Sequence, residues 1–174
     1  MRIEELRKLA GREEIDYQFL LSALQHYSRP RDKITTWLKS GDLIRVKKGL
    51  YIFGQSAARK PYSTDLLANL VYGPSAISLT YAVSFYGLIP ERANLITSIT
   101  VNRNKLFATP VGKLQYYYLN PKKYAIGINL NYHYANQHFL IATPEKALCD
   151  QIYIIDKQHK FSNAAELENY LCTA

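Results

Sequence analysis

Residues 30–53 read PRDKITTWLKSGDLIRVKKGLYIF, and this stretch decides the fold of the first third of the chain. Pro30 suits the first turn of a helix, where its missing N–H has no intrahelical partner to lose. Ile34, Trp37 and Leu38 then recur at helical spacing as one buried stripe, and Gly41 stops the helix. Leu43-Ile44-Arg45-Val46 and Leu50-Tyr51-Ile52-Phe53 are β-branched and aromatic runs flanking Lys47-Lys48-Gly49. Two such runs around a glycine predict a β-hairpin, because glycine accepts the positive φ of a tight turn.

Toward the N-terminus, Ile3, Leu6, Leu9 and Ala10 predict a short helix ending near Gly11. Asp16 is placed to cap a second helix with Tyr17, Leu20, Leu21, Leu24 and Tyr27 or Ser28 on one face. Three helices followed by a basic hairpin predict a winged helix-turn-helix over residues 1–55. The small polar run 56–60 reads as a linker to a second domain, 61–174.

That second domain has a different rhythm. Ser63 predicts a cap for a helix ending at Gly73-Pro74, and another helix runs from about Leu79 to Tyr86 before Gly87-Leu88-Ile89-Pro90. Strand-like segments follow at Leu95–Val101, Lys113–Leu119, Ile126–Tyr134 and Phe139–Ala142. Their short connections predict mainly antiparallel pairing. Thr143 caps a helix through Tyr153, and Ser162 or Asn163 caps a last one to Leu171, with Glu166 as capping-box partner. The expectation is an α+β protein, a winged helix-turn-helix followed by a mixed domain with helices around a mainly antiparallel sheet.

The chain has 174 residues, 48% of them hydrophobic and 21% charged, enough apolar surface for a packed core and against long disorder. No apolar run reaches the roughly 18–20 residues a membrane span requires, and the first residues lack the pattern of a secretory signal. Two cysteines, Cys149 and Cys172, cannot form a disulfide framework and read as small core residues in a reducing, cytoplasmic setting.

Charge carries more information. The formal net charge is +8, and the segment 29–60 alone holds nine basic residues against Asp32 and Asp42. A field concentrated in this way points to a polyanion, whose condensed counterions are released as phosphates are neutralised. With Ile34, Trp37 and Leu38 inward, the third helix turns Asp32, Thr35, Thr36 and Lys39 outward, flanked by Arg31 and Lys33, with Arg29 just before it. Arg and Lys suit phosphates or guanine edges, and Thr offers a hydroxyl and a methyl. Arg45, Lys47 and Lys48 crowd the hairpin tip, where a wing meets DNA backbone or minor groove. The expected DNA-binding residues are therefore Arg29, Arg31, Lys33, Thr35, Thr36, Lys39, Arg45, Lys47 and Lys48; a merely solvated basic face is the competing reading.

Other groups invite chemistry less. Tyr116, Tyr117, Tyr118, Tyr132 and Tyr134 could stack bases, but strand aromatics mostly pack across a sheet. His133 and His138 have no Cys, Asp or Glu nearby in sequence and read as surface histidines, not metal ligands. Glu91, Glu145, Lys146 and Asp150 could be gathered into a nuclease cluster, although Glu145 and Lys146 fall in a helix's first turn. No glycine-rich phosphate loop, paired-His helix, Cys-x-x-Cys or nucleophile elbow is present. The chain is expected to be no enzyme and to use no metal or cofactor.

Several strings together resemble one family. Leu43 to Tyr51 resembles the wing of AbiEi-type antitoxins, and Ser78 to Glu91 (SLTYAVSFYGLIPE) is similar to a helix and corner of the same family. Ile99-Thr100-Val101 through Phe107 to Gly112, and Thr143 to Asp150 (TPEKALCD), match its later segments, so the resemblance covers about residues 30–153. It implies an abortive-infection, type IV toxin–antitoxin function in antiviral defence. An N-terminal winged helix would repress its own operon by binding double-stranded promoter DNA, with room for a dimer on DNA. A C-terminal domain would counteract a cognate nucleotidyltransferase toxin without a stable complex. Larger members continue beyond the last helix here, which makes this a short or truncated version, and no active site is implied. The alternative is a winged-helix regulator whose second domain senses a ligand or mediates assembly, with no toxin partner.

Overall fold

The computed structural model describes residues 1–132, 137–159 and 161–173, the side chains of 167 and 170–173 excepted. The chain begins with α1 (Ile3–Leu9), β1 (Glu14–Asp16), α2 (Tyr17–Ala23) and α3 (Pro30–Ser40), followed by the hairpin β2 (Leu43–Lys47) and β3 (Leu50–Phe53). Asp16 caps α2 as expected, its carboxylate accepting from Phe19 N at 2.7 Å. The helix stops at Ala23, earlier than the periodicity suggested, and Tyr27 is exposed. Gly41 closes α3 in the left-handed conformation, φ 77°.

One strand of this part escaped the sequence. β1 pairs antiparallel with β3, making a three-stranded sheet in the order β1-β3-β2. Three residues are too short for a periodicity signal. Ile3, Leu6, Ile15, Leu20, Leu24, Ile34, Trp37, Leu43, Tyr51 and Phe53 pack into one core. Gly54 crosses so close to the α3–β2 turn that a Cβ there would sit 1.8 Å from the Gly41 carbonyl oxygen, so only glycine fits.

The rest comprises α4 (Thr64–Val71), β4 (Ser75–Ile77), α5 (Leu79–Phe85), β5 (Ile96–Thr100), β6 (Lys105–Thr109) and β7 (Gly112–Tyr118). These are followed by α6 (Pro121–Tyr124), β8 (Ile128–Tyr132), β9 (His138–Ala142), α7 (Pro144–His159) and α8 (Ala164–Thr173). The expected cap of α4 is present, Ser63 Oγ accepting from Leu66 N at 3.1 Å. Six strands form one sheet, β6-β7-β5-β4-β9-β8.

This sheet is mixed, with more parallel pairing than the mainly antiparallel expectation implied. β4–β5, β6–β7 and β8–β9 pair antiparallel, but β5–β7 and β4–β9 run parallel. Short connections do give antiparallel neighbours. The β5–β7 pair is parallel because β6, unrecognised in the sequence, carries the chain to the sheet edge and lets β7 return beside β5. β4 was also missed, being a three-residue strand; the part of the expected Ile126–Tyr134 strand at 133–134 lies outside the described residues.

Successive strand residues face opposite sides. Ile77, Leu114, Tyr116, Phe139 and Ile141 pack with Leu67, Ala68 and Val71 of α4 and Val83 of α5. Ala76, Ile99 and Leu119 pack with Leu79 and Ile154 of α7. Val46, Leu50 and Ile52 of the hairpin belong to the same apolar cluster as α4, so the two parts of the chain share a core.

The segment read as a linker is held in place. The Glu13 carboxylate accepts from the backbone N–H of Lys60 at 3.0 Å and of Arg59 at 3.3 Å, and it pairs with the buried Arg7 guanidinium.

The β4–α5 corner is strained. Leu79 has φ 61°, a left-handed backbone that a leucine adopts at a cost of about 1–3 kcal/mol. The surroundings fix it: Leu79 is buried, Ser78 N donates to Thr97 O at 3.1 Å, and Thr97 Oγ1 donates to Ser78 O at 2.8 Å.

Candidate nucleic-acid interface

α3 presents the face its sequence implied. Ile34 and Trp37 are buried, Leu38 is half-buried, and Arg31, Asp32, Thr35, Thr36 and Lys39 are exposed, as is Arg29 at the N-cap. An open hollow of about 410 Å³ at the start of the helix is lined by Arg29, Pro30, Arg31 and Asp32. Asp32 sits in the first turn, where its charge complements the helix dipole.

The two threonines are less free than exposure alone suggests. Thr35 Oγ1 donates to Arg31 O and Thr36 Oγ1 to Asp32 O, each at 2.9 Å. With their protons directed into the helix, both hydroxyls present lone pairs outward, which suits a base amino group better than a phosphate oxygen.

Lys33 lies at the flank of this face, as its spacing implied. Its ammonium lies 5.4 Å from the Trp37 ring centroid, and the side chain is half-buried. The cation–π contact holds the charge beside the helix.

The hairpin divides its basic residues. Arg45 and Lys48 are exposed. Lys47 does not stand free at the tip; it is half-buried, and its ammonium donates to the carbonyl of Val71. Burial, then the charge of Lys105, lower its pKa. The pairing shifts register between Arg45 and Lys47, and Lys47 ends β2 while Lys48 lies in the turn, so the adjacent lysines meet different surroundings.

Of the acids in this segment, Asp42 is occupied. Ser40 Oγ and Ser56 Oγ donate to its two oxygens at 2.6 and 2.8 Å, which holds its carboxyl below the usual carboxylate range. The positive field of Arg29, Arg31, Lys39, Arg45 and Lys48 is opposed by the exposed Asp32 and by Asp42, whose charge these hydroxyls stabilise rather than cancel.

The other sequence candidates fall apart as sites. Tyr116 is fully buried with its hydroxyl on Ala68 O at 2.6 Å, Tyr117 is half-buried, and Tyr118 and Tyr132 are exposed. His138 is exposed, edge-on to Tyr132. His133 and Tyr134 lie outside the described residues. Of the four groups considered as a nuclease, Glu145, Lys146 and Asp150 line one cavity, with Lys146 paired to Asp150, whereas the exposed Glu91 is not among its lining residues. Among the described residues, no cluster of three or more His, Cys, Asp or Glu could hold a metal ion. Cys149, read as a core residue, is exposed because it falls on the face of α7 turned away from Ala147, Asp150 and Ile154; the Cys172 side chain lies outside the described ones.

One basic surface was overlooked. Arg103 and Lys157 line an open hollow of about 650 Å³ with Asn102, Asn104 and Tyr118. A signal for it existed: residues 92–144 contain six Lys and Arg and no acidic residue.

No helix among the described residues is long and apolar enough to cross a membrane. No family model matches this chain, and no curated protein matches it.

Proposed function

We propose that this chain is a DNA-binding antitoxin and autorepressor, in which residues 1–55 act as a winged helix-turn-helix on double-stranded promoter DNA. The observation that carries the DNA part is the exposure of Arg29, Arg31, Thr35, Thr36 and Lys39 along one helix face, with Arg45 and Lys48 on the hairpin packed beside it. Base edges would meet Thr35 and Thr36, and phosphates would meet the cations. The antitoxin part, toward a cognate nucleotidyltransferase toxin in the cytoplasm, rests on the resemblance of residues 30–153 to AbiEi-type antitoxins.

Binding to a duplex from upstream of its own gene tests the first part. With Lys47 engaged at Val71, about four to five phosphates would be neutralised, giving a log–log salt slope of roughly −4. Equal affinity at about 50 and 200 mM salt would refute it. Co-expression with the neighbouring gene in a growth assay tests the second part; no rescue from a nucleotidyltransferase's toxicity would refute it. A ligand-sensing regulator without a toxin partner is the second reading, favoured by an apolar cavity between α6 and α7.

A further inference from the structure

That cavity has a volume of about 440 Å³, within the usual size range of small-molecule sites. Leu119, Ile126 and Tyr153 supply apolar wall. At Gly127, φ 65°, a Cβ would lie 2.9 Å from Lys146 Cβ, so glycine lets the chain pass close against α7.

Four charged side chains line the cavity, and two of them cancel. Lys146 pairs with Asp150, whose other oxygen accepts from the buried Ser78 Oγ at 2.8 Å. Both side chains are almost wholly buried, and with both carboxylate oxygens engaged the pair forms a neutral floor. Lys123 and Glu145 remain. The Lys123 ammonium rests 3.7 Å from the Tyr153 ring centroid, and among the described residues neither Lys123 nor Glu145 enters a salt bridge. The lining thus offers an apolar slot, an aromatic ring capped by the Lys123 ammonium, and one cation and one anion that enter no salt bridge among the described residues.

We infer that this cavity is a binding site for a small aromatic zwitterion of the amino-acid class. The ring enters the slot against Tyr153, the ligand carboxylate takes Lys123, and its ammonium takes Glu145. Displacing the Lys123 head from the Tyr153 face exchanges a cation–π contact for a charge-assisted hydrogen bond, the stronger of the two. This assignment holds whether or not the chain binds DNA.

Calorimetric titration of the full chain with L-tryptophan tests it, beside indole-3-propionate, which lacks the ammonium, and tryptamine, which lacks the carboxylate. L-tryptophan is expected to bind at one site and to slow alkylation of Cys149 on the cavity wall by iodoacetamide, followed by mass spectrometry of the tryptic peptide Ala147–Lys157. Lys123→Gln should weaken L-tryptophan and indole-3-propionate about tenfold and spare tryptamine; Glu145→Gln should weaken L-tryptophan and tryptamine and spare indole-3-propionate. Both side chains are exposed, and unchanged melting temperatures should accompany the losses. No binding of L-tryptophan, binding that leaves Cys149 equally reactive, or equal affinity in either variant would overturn the assignment.

Discussion

The ammonium of Lys47, in the hairpin β2–β3, donates to the backbone carbonyl of Val71 at the end of α4. This bond ties the basic hairpin to the helix that covers the six-stranded sheet, and Val46, Leu50 and Ile52 reinforce it with apolar contact in the same cluster as Val71. The hairpin thus has a charged outer side, Arg45 and Lys48, and an inner side built into the core. Adjacent lysines serve different ends.

Charge reversal should separate them. Lys48→Glu is expected to lower duplex affinity about tenfold at fixed salt and to leave the melting temperature unchanged, because Lys48 is exposed. Lys47→Glu sets a carboxylate against the Val71 carbonyl and should cost about 1–3 kcal/mol. For a chain of this size that is a fall of about 2–4 °C in melting temperature per kcal/mol. Anisotropy titration and calorimetric melting of both variants check the division; equal melting temperatures would place Lys47 in solvent.

Trp37 is 3% exposed beneath the outward face of α3. Trp37→Ala should destabilise by about 3–5 kcal/mol, the usual cost of truncating a buried aromatic. It also removes the ring that holds Lys33. Urea denaturation measures the loss, and duplex binding should vanish together with the folded signal. A variant that melts like the parent would show that the helix face is wrongly assigned.

Glu13 joins three partners: the Arg7 guanidinium and the N–H groups of Arg59 and Lys60. Glu13→Ala leaves Arg7 as a buried charge without its carboxylate, a change worth about 3–5 kcal/mol. It also releases the backbone at 59–60. Faster tryptic cleavage after Arg59 under native conditions is the expected signature, with cleavage elsewhere little changed. Protection equal to that of the parent would mean the segment is held by other contacts.

Glu14, beside it, is buried, and desolvation raises its carboxyl pKa above the ordinary value. A raised carboxyl favours folding while protonated, so its contribution is present below the unfolded pKa, near 4.5, and is lost as pH climbs through the folded value. Glu14→Gln, which keeps the shape without the charge, should therefore melt higher than the parent at pH 7, with the gap closing toward pH 4. A gap independent of pH would show that Glu14 does not titrate in this window.

Much of the first 55 residues was legible because its signals are local. The Pro30 start, the Ile34–Trp37–Leu38 stripe, the Gly41 stop and the Gly49 turn act within a few residues, and each appears where the pattern put it. Local signals also placed the caps at Asp16 and Ser63. β1, β4 and β6 were not legible. A three-residue strand has no measurable period, and Lys105–Thr109 carries a weak pattern that only its pairing with β7 makes a strand.

The sequence by itself determined which residues could be buried, where helices begin and end, and where positive charge accumulates, since hydrophobic period, capping chemistry and composition are properties of neighbours along the chain. Tertiary structure alone decided that β7 lies between β5 and β6, that Lys47 turns inward while Lys48 stays out, and that Ser78, Lys146 and Asp150 meet beneath a cavity. Ser78 and Asp150 are 72 positions apart, and a hydrogen bond at that separation depends on the packing of α5 against α7. No local preference encodes such contacts, because their energy exists only once distant segments have excluded water together.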